Sequence, residues 1–123
     1  MEYQVLKNAV NESAPLIYMW EIHTRHGVLV GRYVGKAKNG ATRPLRHYQR
    51  NVRNLLDGKP YRKGNPEGYR KIHRALAEAA LKGYLITLQY LCNVSEGENI
   101  NEIERQCIGN HNCLGNEQWQ LNG

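Results

Sequence analysis

Residues 31–48 read GRYVGKAKNGATRPLRHY, and this stretch joins the end of a strand, a glycine-rich turn and the start of an amphipathic helix. The strand is predicted to end at Gly35, and Gly35 and Gly40 allow close approaches or positive φ angles that other residues resist. Lys36 and Lys38 add two positive charges inside the turn. Taken alone, the stretch fits a solvated strand–helix loop as well as it fits a binding loop.

Hydrophobic patterns on both sides of this stretch predict three strands. Compact runs of apolar, β-branched and aromatic residues occur at 16–22, 28–34 and 84–94. The first two runs are separated by a short turn, so we expect an antiparallel hairpin. The third run is apolar on both faces, which predicts a central strand.

Apolar residues at helical spacing predict three helices around this sheet. We expect the helices to begin at Thr42 or Arg43, at Tyr69 and near Asn99, which resembles an N-cap. Gly83 is predicted to cap the second helix at its C-terminus. The expected fold is therefore a small α+β domain, with a three-stranded antiparallel sheet flanked by helices in the order ββααβα.

The length and composition of the chain predict one domain, residues 1–123. Residues 1–15 are expected to form a loosely held arm or a short edge element, and residues 57–68 a basic, Pro/Gly-rich insertion loop. No apolar run approaches the roughly 20 residues that span a bilayer, and the N-terminus lacks the apolar centre of a signal peptide. Three cysteines, an odd number, favour reduced thiols. We therefore expect a cytoplasmic protein without a membrane partner.

Positive charge is concentrated in one segment of the chain. The formal net charge is +6, and the pI is near 9.4. Residues 43–82 carry eleven Lys/Arg against three Asp/Glu, whereas the remainder carries six against eight. A basic segment on a nearly neutral body is typical of a face that lies along nucleic-acid phosphates, because a generic solvated surface mixes the two signs more evenly.

One carboxylate falls on the predicted buried face of the last helix. That face is defined by Ile100, Ile103, Cys107 and Ile108, and Glu104 lies inside it. An ionised carboxylate on a core-facing position is destabilising unless a cation or hydrogen bonds compensate. Glu104 is therefore either paired with a cation, for example an arginine, or holds a metal ion in a cleft.

Several of these positions resemble the motifs of the GIY-YIG nuclease family. Leu16-Ile17-Tyr18 is similar to the family's first motif, with Leu in place of Gly, and Tyr33-Val34-Gly35 is similar to its second. Arg43, ten residues after Tyr33, resembles the family's catalytic arginine, and His47 resembles the histidine of restriction-type members. The resemblance covers about residues 16–116, which is most of the chain.

The resemblance continues in the last helix. Glu104, followed by Cys107 and Ile108, is similar to the glutamate with which the family binds its metal ion. Asn116, twelve residues later, is similar to a late asparagine of the family. The insertion at residues 57–68 looks most like the subgroup that contains phage endonuclease II and the restriction enzymes related to it.

This resemblance implies a metal-dependent endonuclease that hydrolyses DNA, in particular double-stranded DNA, in restriction or in phage degradation of host DNA. The implied metal is Mg²⁺ or Mn²⁺ held by Glu104, in a bacterial or phage-infected cell. The implied general base is Tyr18, while Tyr33 and His47 orient water or phosphate, and the two tyrosines could exchange roles. The implied catalytic residues are Tyr18, Tyr33, Arg43, His47, Glu104 and Asn116. Contacts to phosphate and DNA are expected from Lys36, Lys38, Arg46, Arg50, Arg53, Arg62, Lys63, Arg70, Lys71 and Arg74.

Other functions fit the same residues. A basic module could bind nucleic acid without cutting it, and a nuclease with this site could process RNA or branched DNA. Double-strand cleavage would need a homodimer, a higher oligomer or two encounters, because one site cuts one strand. Zinc bound by Cys107, His111 and Cys113, with Cys92 at a distance, matches no strong ligand template.

Overall fold

A four-stranded mixed sheet forms the centre of the molecule, in a computed structural model that describes all 123 residues. Helices flank this sheet, so the expected α+β class is confirmed. No helix is both long enough and apolar enough to span a membrane. The strands are β1 (Gln4–Leu6), β2 (Leu16–His23), β3 (Leu29–Ala37) and β4 (Leu85–Asn93). The helical segments are a π-helical turn (Arg43–His47) that leads directly into α1 (Tyr48–Leu56), then α2 (Lys71–Lys82) and α3 (Ile100–Asn110).

The N-terminal strand is the largest departure from the expected topology. The predicted three-stranded antiparallel sheet is wrong, because β1 adds a fourth strand parallel to β4 and gives the strand order β1-β4-β2-β3. The order of elements along the chain is accordingly βββααβα. β1 contains only three residues, too few for an alternating pattern to distinguish a strand from an arm. For residues 1–15, the short edge element is confirmed and the loosely held arm is wrong.

The β2–β3 hairpin is longer than the sequence pattern indicated. β3 ends at Ala37 rather than at Gly35, because Ile17 and Leu16 continue the antiparallel ladder opposite Lys36 and Ala37. Lys36 is therefore on a strand, and the prediction that it lies in a turn is wrong. β3 is an edge strand, whereas β2 and β4 are interior, as predicted for β4.

The two faces of the sheet bury separate apolar clusters. Tyr18 and its alternate neighbours on β2 pack against α1 and α2. Ile17 and Met19 face the other way, into a cluster that includes the apolar side of α3. Because successive strand residues point to opposite faces, the pairing with β2 places Tyr33 on the α1–α2 face and Lys36 on the α3 face.

The helix ends near the sheet follow local chemistry. α2 begins at Lys71 rather than at Tyr69, because Arg70 has an extended backbone, with φ −77° and ψ 164°, and forms the N-cap. The predicted caps at the other helix ends are confirmed. Gly83 adopts φ 69° after α2, a left-handed conformation that glycine tolerates best. The side chain of Asn99 accepts two backbone N–H groups at the start of α3.

The C-terminal segment covers part of the outer edge of β3. The carbonyl of Trp119 accepts the N–H of Arg32 at 2.8 Å, and the N–H of Leu121 donates to the carbonyl of Arg32 at 3.0 Å. The side-chain amide of Asn122 pairs with both the N–H and the C=O of Val34. Trp119 thus packs back on the body, and the segment protects an edge that would otherwise be free to pair with other chains.

Candidate active site

A cleft of about 540 Å³ lies beside the C-terminal half of β3, the loop that follows it and the π-helical turn. Its walls bring together five of the predicted catalytic residues: Tyr18, Tyr33, Arg43, His47 and Glu104. Three of the predicted phosphate contacts line the same cleft: Lys36, Lys38 and Arg70. We call this space the first cleft.

The first cleft straddles the free edge of the sheet. Tyr33 reaches it from the face that packs on α1 and α2, and Lys36 reaches it from the face that packs on α3. Glu104 extends toward the same edge from α3. Because β3 is an edge strand, side chains from both faces of the sheet can meet around its free edge. A further strand paired with this part of β3 would separate them.

Glu104 is open to the cleft and only loosely paired. Its side chain is 22% exposed, and the Nζ of Lys36 lies 3.9 Å from its Oε1. Lys36 donates its hydrogen bond to the side chain of Asn101 instead, and no hydrogen bond or arginine within the chain reaches the carboxylate. The prediction that Glu104 lies on a buried face of the last helix is wrong in one respect. The residues of that face are only half-buried, since α3 has no fully buried residue.

Positive charge dominates the first cleft. Four cationic side chains, those of Lys36, Lys38, Arg43 and Arg70, face the single carboxylate of Glu104. Cations grouped in a cleft raise the local concentration of anions such as phosphate diesters. The lone carboxylate belongs to the class of oxygen ligands that hard cations prefer.

The π-helical turn presents Arg43 and His47 on one side. Both side chains are exposed, whereas Pro44 between them is buried and anchors the turn. Burial, and then the positive charges of Arg50 and Arg43, lower the pKa of His47 below its ordinary value of 6.5. The lowered pKa favours the neutral imidazole, which can accept a hydrogen bond.

Tyr18 is buried in the wall of the first cleft. Its side chain is 1% exposed, and its hydroxyl shares a 2.7 Å hydrogen bond with the hydroxyl of Tyr48. Burial raises the pKa of Tyr18 to about 12, although Tyr48 and the nearby Arg43 and Arg70 oppose the shift. The phenol therefore stays protonated at neutral pH.

Tyr33 is half-buried and is held by an arginine. Arg70 donates one N–H to the hydroxyl of Tyr33 at 2.9 Å and another to the hydroxyl of Tyr48 at 3.0 Å. The guanidinium carbon also lies 5.5 Å from the centroid of the Tyr33 ring. A cation that donates to a phenol oxygen stabilises negative charge on that oxygen. The network runs from Tyr18 through Tyr48 and Arg70 to Tyr33.

Gly35 leaves room for the ring of Tyr18. The two residues are paired across the hairpin, and a Cβ added at Gly35 would lie 2.5 Å from both Cζ and Oη of Tyr18. We expect Gly35→Ala to lower the free energy of unfolding by about 1–3 kcal/mol, because the buried ring has no space to move. Urea denaturation measures this change.

Gly109→Ala is the matched control for that substitution. A Cβ at this exposed helical glycine meets nothing within 4 Å, so we expect unchanged or slightly higher stability. If both variants unfolded at the urea concentration of the wild type, the close approach at Gly35 would be contradicted.

Several predicted residues lie elsewhere. Asn116 is exposed and lines no part of the first cleft, because the chain after α3 turns back so that residues 119–122, and not Asn116, lie along β3. Lys71 and Arg74 line a separate groove, where they contact Gln120 and Glu67. Arg50 and Arg62 line a second cleft beside the first. The remaining predicted contacts are exposed and line neither cleft: Arg46, Arg53 and Lys63.

Some residues of the site had no signal in the sequence. Tyr48 belongs to no motif, and Arg70 was predicted only as a phosphate contact, yet together they connect the two motif tyrosines. Asn101 and Asn122, which hold Lys36 and Val34, carry no motif at all. Arg70 was predicted to lie inside the second helix, so its N-cap position had no signal in the sequence.

The residues of the first cleft fit a hard divalent cation with a single protein ligand. Mg²⁺ keeps several waters and is often bound by one or two carboxylates together with substrate phosphates, which matches an open Glu104 beside phosphate-binding cations. The chain contains no group of three or more His, Cys, Asp or Glu placed to hold a metal. Cys92, Cys107, His111 and Cys113 are therefore not gathered into such a group.

No protein-family model, curated protein or solved structure matches this chain. The resemblance to GIY-YIG nucleases therefore rests on the residues themselves.

Proposed function

We propose that this protein is a metal-dependent DNA endonuclease of the GIY-YIG type, which hydrolyses phosphodiester bonds. One observation carries the proposal. A single open carboxylate, Glu104, meets Arg43, His47 and the two motif tyrosines in one cationic cleft. A chance distribution of these motif residues over the sequence would not be expected to converge on one cleft.

Arg43 is the proposed ligand of the scissile phosphate. Its side chain is exposed, lines the first cleft and makes no hydrogen bond within the chain, so its planar fork is free for two phosphate oxygens. His47, one helical turn further, is neutral and suited to orient the attacking water. Lys36 and Lys38 add charge that compensates the phosphate.

Glu104 is the proposed ligand of Mg²⁺ or Mn²⁺. A divalent cation bound there would supply positive charge beside the phosphate as negative charge develops on its oxygens and on the leaving 3′ oxygen. The Nζ of Lys36 lies 3.9 Å from the Glu104 carboxylate. One positive charge therefore already stands beside the proposed metal ligand.

Tyr33 is the better candidate for the general base. Tyr18 has a buried hydroxyl, a partner in Tyr48 and a pKa raised to about 12, so a proton transfer to it at neutral pH is unfavourable. Tyr33 is more accessible, and its hydroxyl is held toward the first cleft by a 2.9 Å hydrogen bond from Arg70. Tyr18 then acts through Tyr48, which helps to hold Arg70 in position.

Substitution of the two tyrosines separates these roles. We expect Tyr33→Phe to lower the single-turnover rate of cleavage by about 10²–10⁴-fold, the range for loss of a general base. Tyr18→Phe should cost about 1 kcal/mol of stability through one lost buried hydrogen bond, and should slow cleavage at least tenfold less than Tyr33→Phe. The reverse order of the two rates would return the role of base to Tyr18.

Parallel substrates test the proposed function. Supercoiled plasmid, linear duplex, branched DNA and RNA are incubated with the protein in Mg²⁺ and in EDTA. We expect metal-dependent nicking of the plasmid. Binding of DNA without any cleavage would support the basic binding module instead, and faster cleavage of RNA or of branched DNA would support a processing nuclease.

A further inference from the structure

A second cleft of about 390 Å³ adjoins the first. It lies between α1, the loop before α2 and the start of α2, and four of its lining residues are arginines: Arg43, Arg50, Arg62 and Arg70. No aspartate or glutamate lines it. The second cleft is therefore more strongly cationic than the first, in which Glu104 offsets part of the charge.

The two clefts share a wall. Arg43, His47 and Arg70 line both of them, so a ligand that fills the first cleft extends into the second across these three side chains. The backbone of a nucleic acid repeats its phosphate along the strand. A strand with one phosphate at Arg43 therefore has another within reach of the second cleft.

Neutral donors line the second cleft beside the arginines. Asn51 and Asn54 are half-buried on α1 and three residues apart, so they share a helix face. His73 is 2% exposed, and its Nδ1 accepts the backbone N–H of Arg70 at 3.1 Å. With Nδ1 as acceptor, the ring proton of the neutral imidazole is on Nε2.

Neutrality of His73 follows from its surroundings. Burial, and then the charges of Arg70, Arg43 and Arg74, lower the pKa of His73 to about 4. The titratable and charged groups nearby are cationic or phenolic, since Tyr48, Tyr61 and Tyr69 form the other close ring contacts. Because this imidazole is neutral and no carboxylate lines the second cleft, the positive charge of the arginines is left for a bound anion to compensate.

We propose that the second cleft binds a backbone phosphate that flanks the scissile one, on the same nucleic-acid strand. Arg50 and Arg62 contact this flanking phosphate, Asn51 and Asn54 supply neutral hydrogen bonds, and the shared wall fixes the strand in register with the catalytic residues. The inference rests on the proposed function, since it places the scissile phosphate at Arg43. It assigns the enzyme a polynucleotide substrate rather than a single phosphodiester.

Single-phosphate neutralisation tests this subsite. In a duplex with a mapped cleavage position, one phosphate at a time is replaced by an uncharged methylphosphonate, and binding without divalent cation is measured by fluorescence anisotropy. We expect one flanking replacement to weaken binding about tenfold, as one lost arginine–phosphate contact would. Arg62→Gln and Arg50→Gln should each weaken binding similarly and lower the salt slope by about one.

Combining an arginine substitution with the methylphosphonate replacement shows whether that arginine and that phosphate contact each other. With Arg62→Gln or Arg50→Gln, the sensitive methylphosphonate should weaken binding less than it does in the wild type, because one of the two arginines that contact this phosphate is already lost. Lys82→Gln is the matched control: it removes one charge at the far end of α2, about 18 Å along the helix from Arg70, and the methylphosphonate should keep its full effect.

Full additivity in both arginine variants, or no sensitive flanking phosphate in a wild type that binds and cuts, would overturn the subsite and leave the proposed function intact. A wild type that neither binds nor cuts nucleic acid would overturn both. Circular dichroism of each variant confirms that a weakened contact does not reflect unfolding.

Discussion

Glu104→Gln should lower the rate of metal-dependent cleavage by at least about a thousandfold, while DNA binding stays equal to or tighter than that of the wild type. Glutamine keeps the size of the side chain but lacks the negative charge that a hard cation requires. Binding should not weaken, because the change removes the only carboxylate from a cleft with four cationic side chains. Single-turnover cleavage and anisotropy measure the two quantities separately.

Glu102→Gln is the control for Glu104→Gln. Glu102 lies on the exposed side of α3 and outside the first cleft, so its replacement should leave cleavage within about twofold of the wild type. If Glu104→Gln cut at the rate of Glu102→Gln, the carboxylate would have no role in the reaction, and the cleft would be a binding site only.

Arg43→Lys should lower the cleavage rate by about 10²–10⁴-fold, somewhat less than the roughly 10³–10⁵-fold effect of arginines that stabilise transferring phosphates, because the charge is retained. Lysine keeps the charge but presents one ammonium group instead of a planar fork. Ground-state binding should change little, because charge dominates affinity for DNA. Cleavage under saturating enzyme concentration isolates the effect on the chemical step.

Arg53→Gln is the contrasting variant for Arg43→Lys. Arg53 is exposed on α1 and lines neither cleft, so its loss should affect at most the salt-sensitive affinity and leave the rate at saturation unchanged. Equal rates at saturation for the two variants would contradict the role of Arg43 in the chemical step.

The interior strands and the helices were predictable because their patterns are long. The apolar run of β4 gave its interior position, and periodic residues gave all three helices. β1 was not predictable, because a strand of three residues is too short to show an alternating pattern. The end of β3 was misplaced because glycine suggested a turn. The glycine is needed instead for contact with a tyrosine ring across the hairpin.

The candidate site was predictable as far as side chains with motif spacing go. Tyr33, Arg43 and Glu104 meet as expected. The contacts between them were not predictable, because they depend on long-range packing: Arg70 reaches Tyr33 across 37 positions of the chain. Asn116 was misplaced for the same reason, since a spacing of twelve residues does not fix the path of an irregular segment.

The burial of Tyr18 shows what a motif leaves open. Its identity and strand position followed from the sequence, but its accessibility depends on Tyr48 and on the packing of α1 over the sheet. These contacts raise the pKa of Tyr18 to about 12. They shift the proposed role of base toward Tyr33, a choice that the two motifs alone could not make.

The most direct test of the proposed nuclease is the chemistry of the product ends. Plasmid DNA is cleaved by the wild type in Mg²⁺, the ends are mapped, and the Glu104→Gln protein is treated in parallel. We expect 5′-phosphate and 3′-hydroxyl ends, which form when water attacks and the 3′ oxygen leaves, and no products from the variant. Intact plasmid with the wild type, or identical products from both proteins, would contradict a hydrolytic site at Glu104.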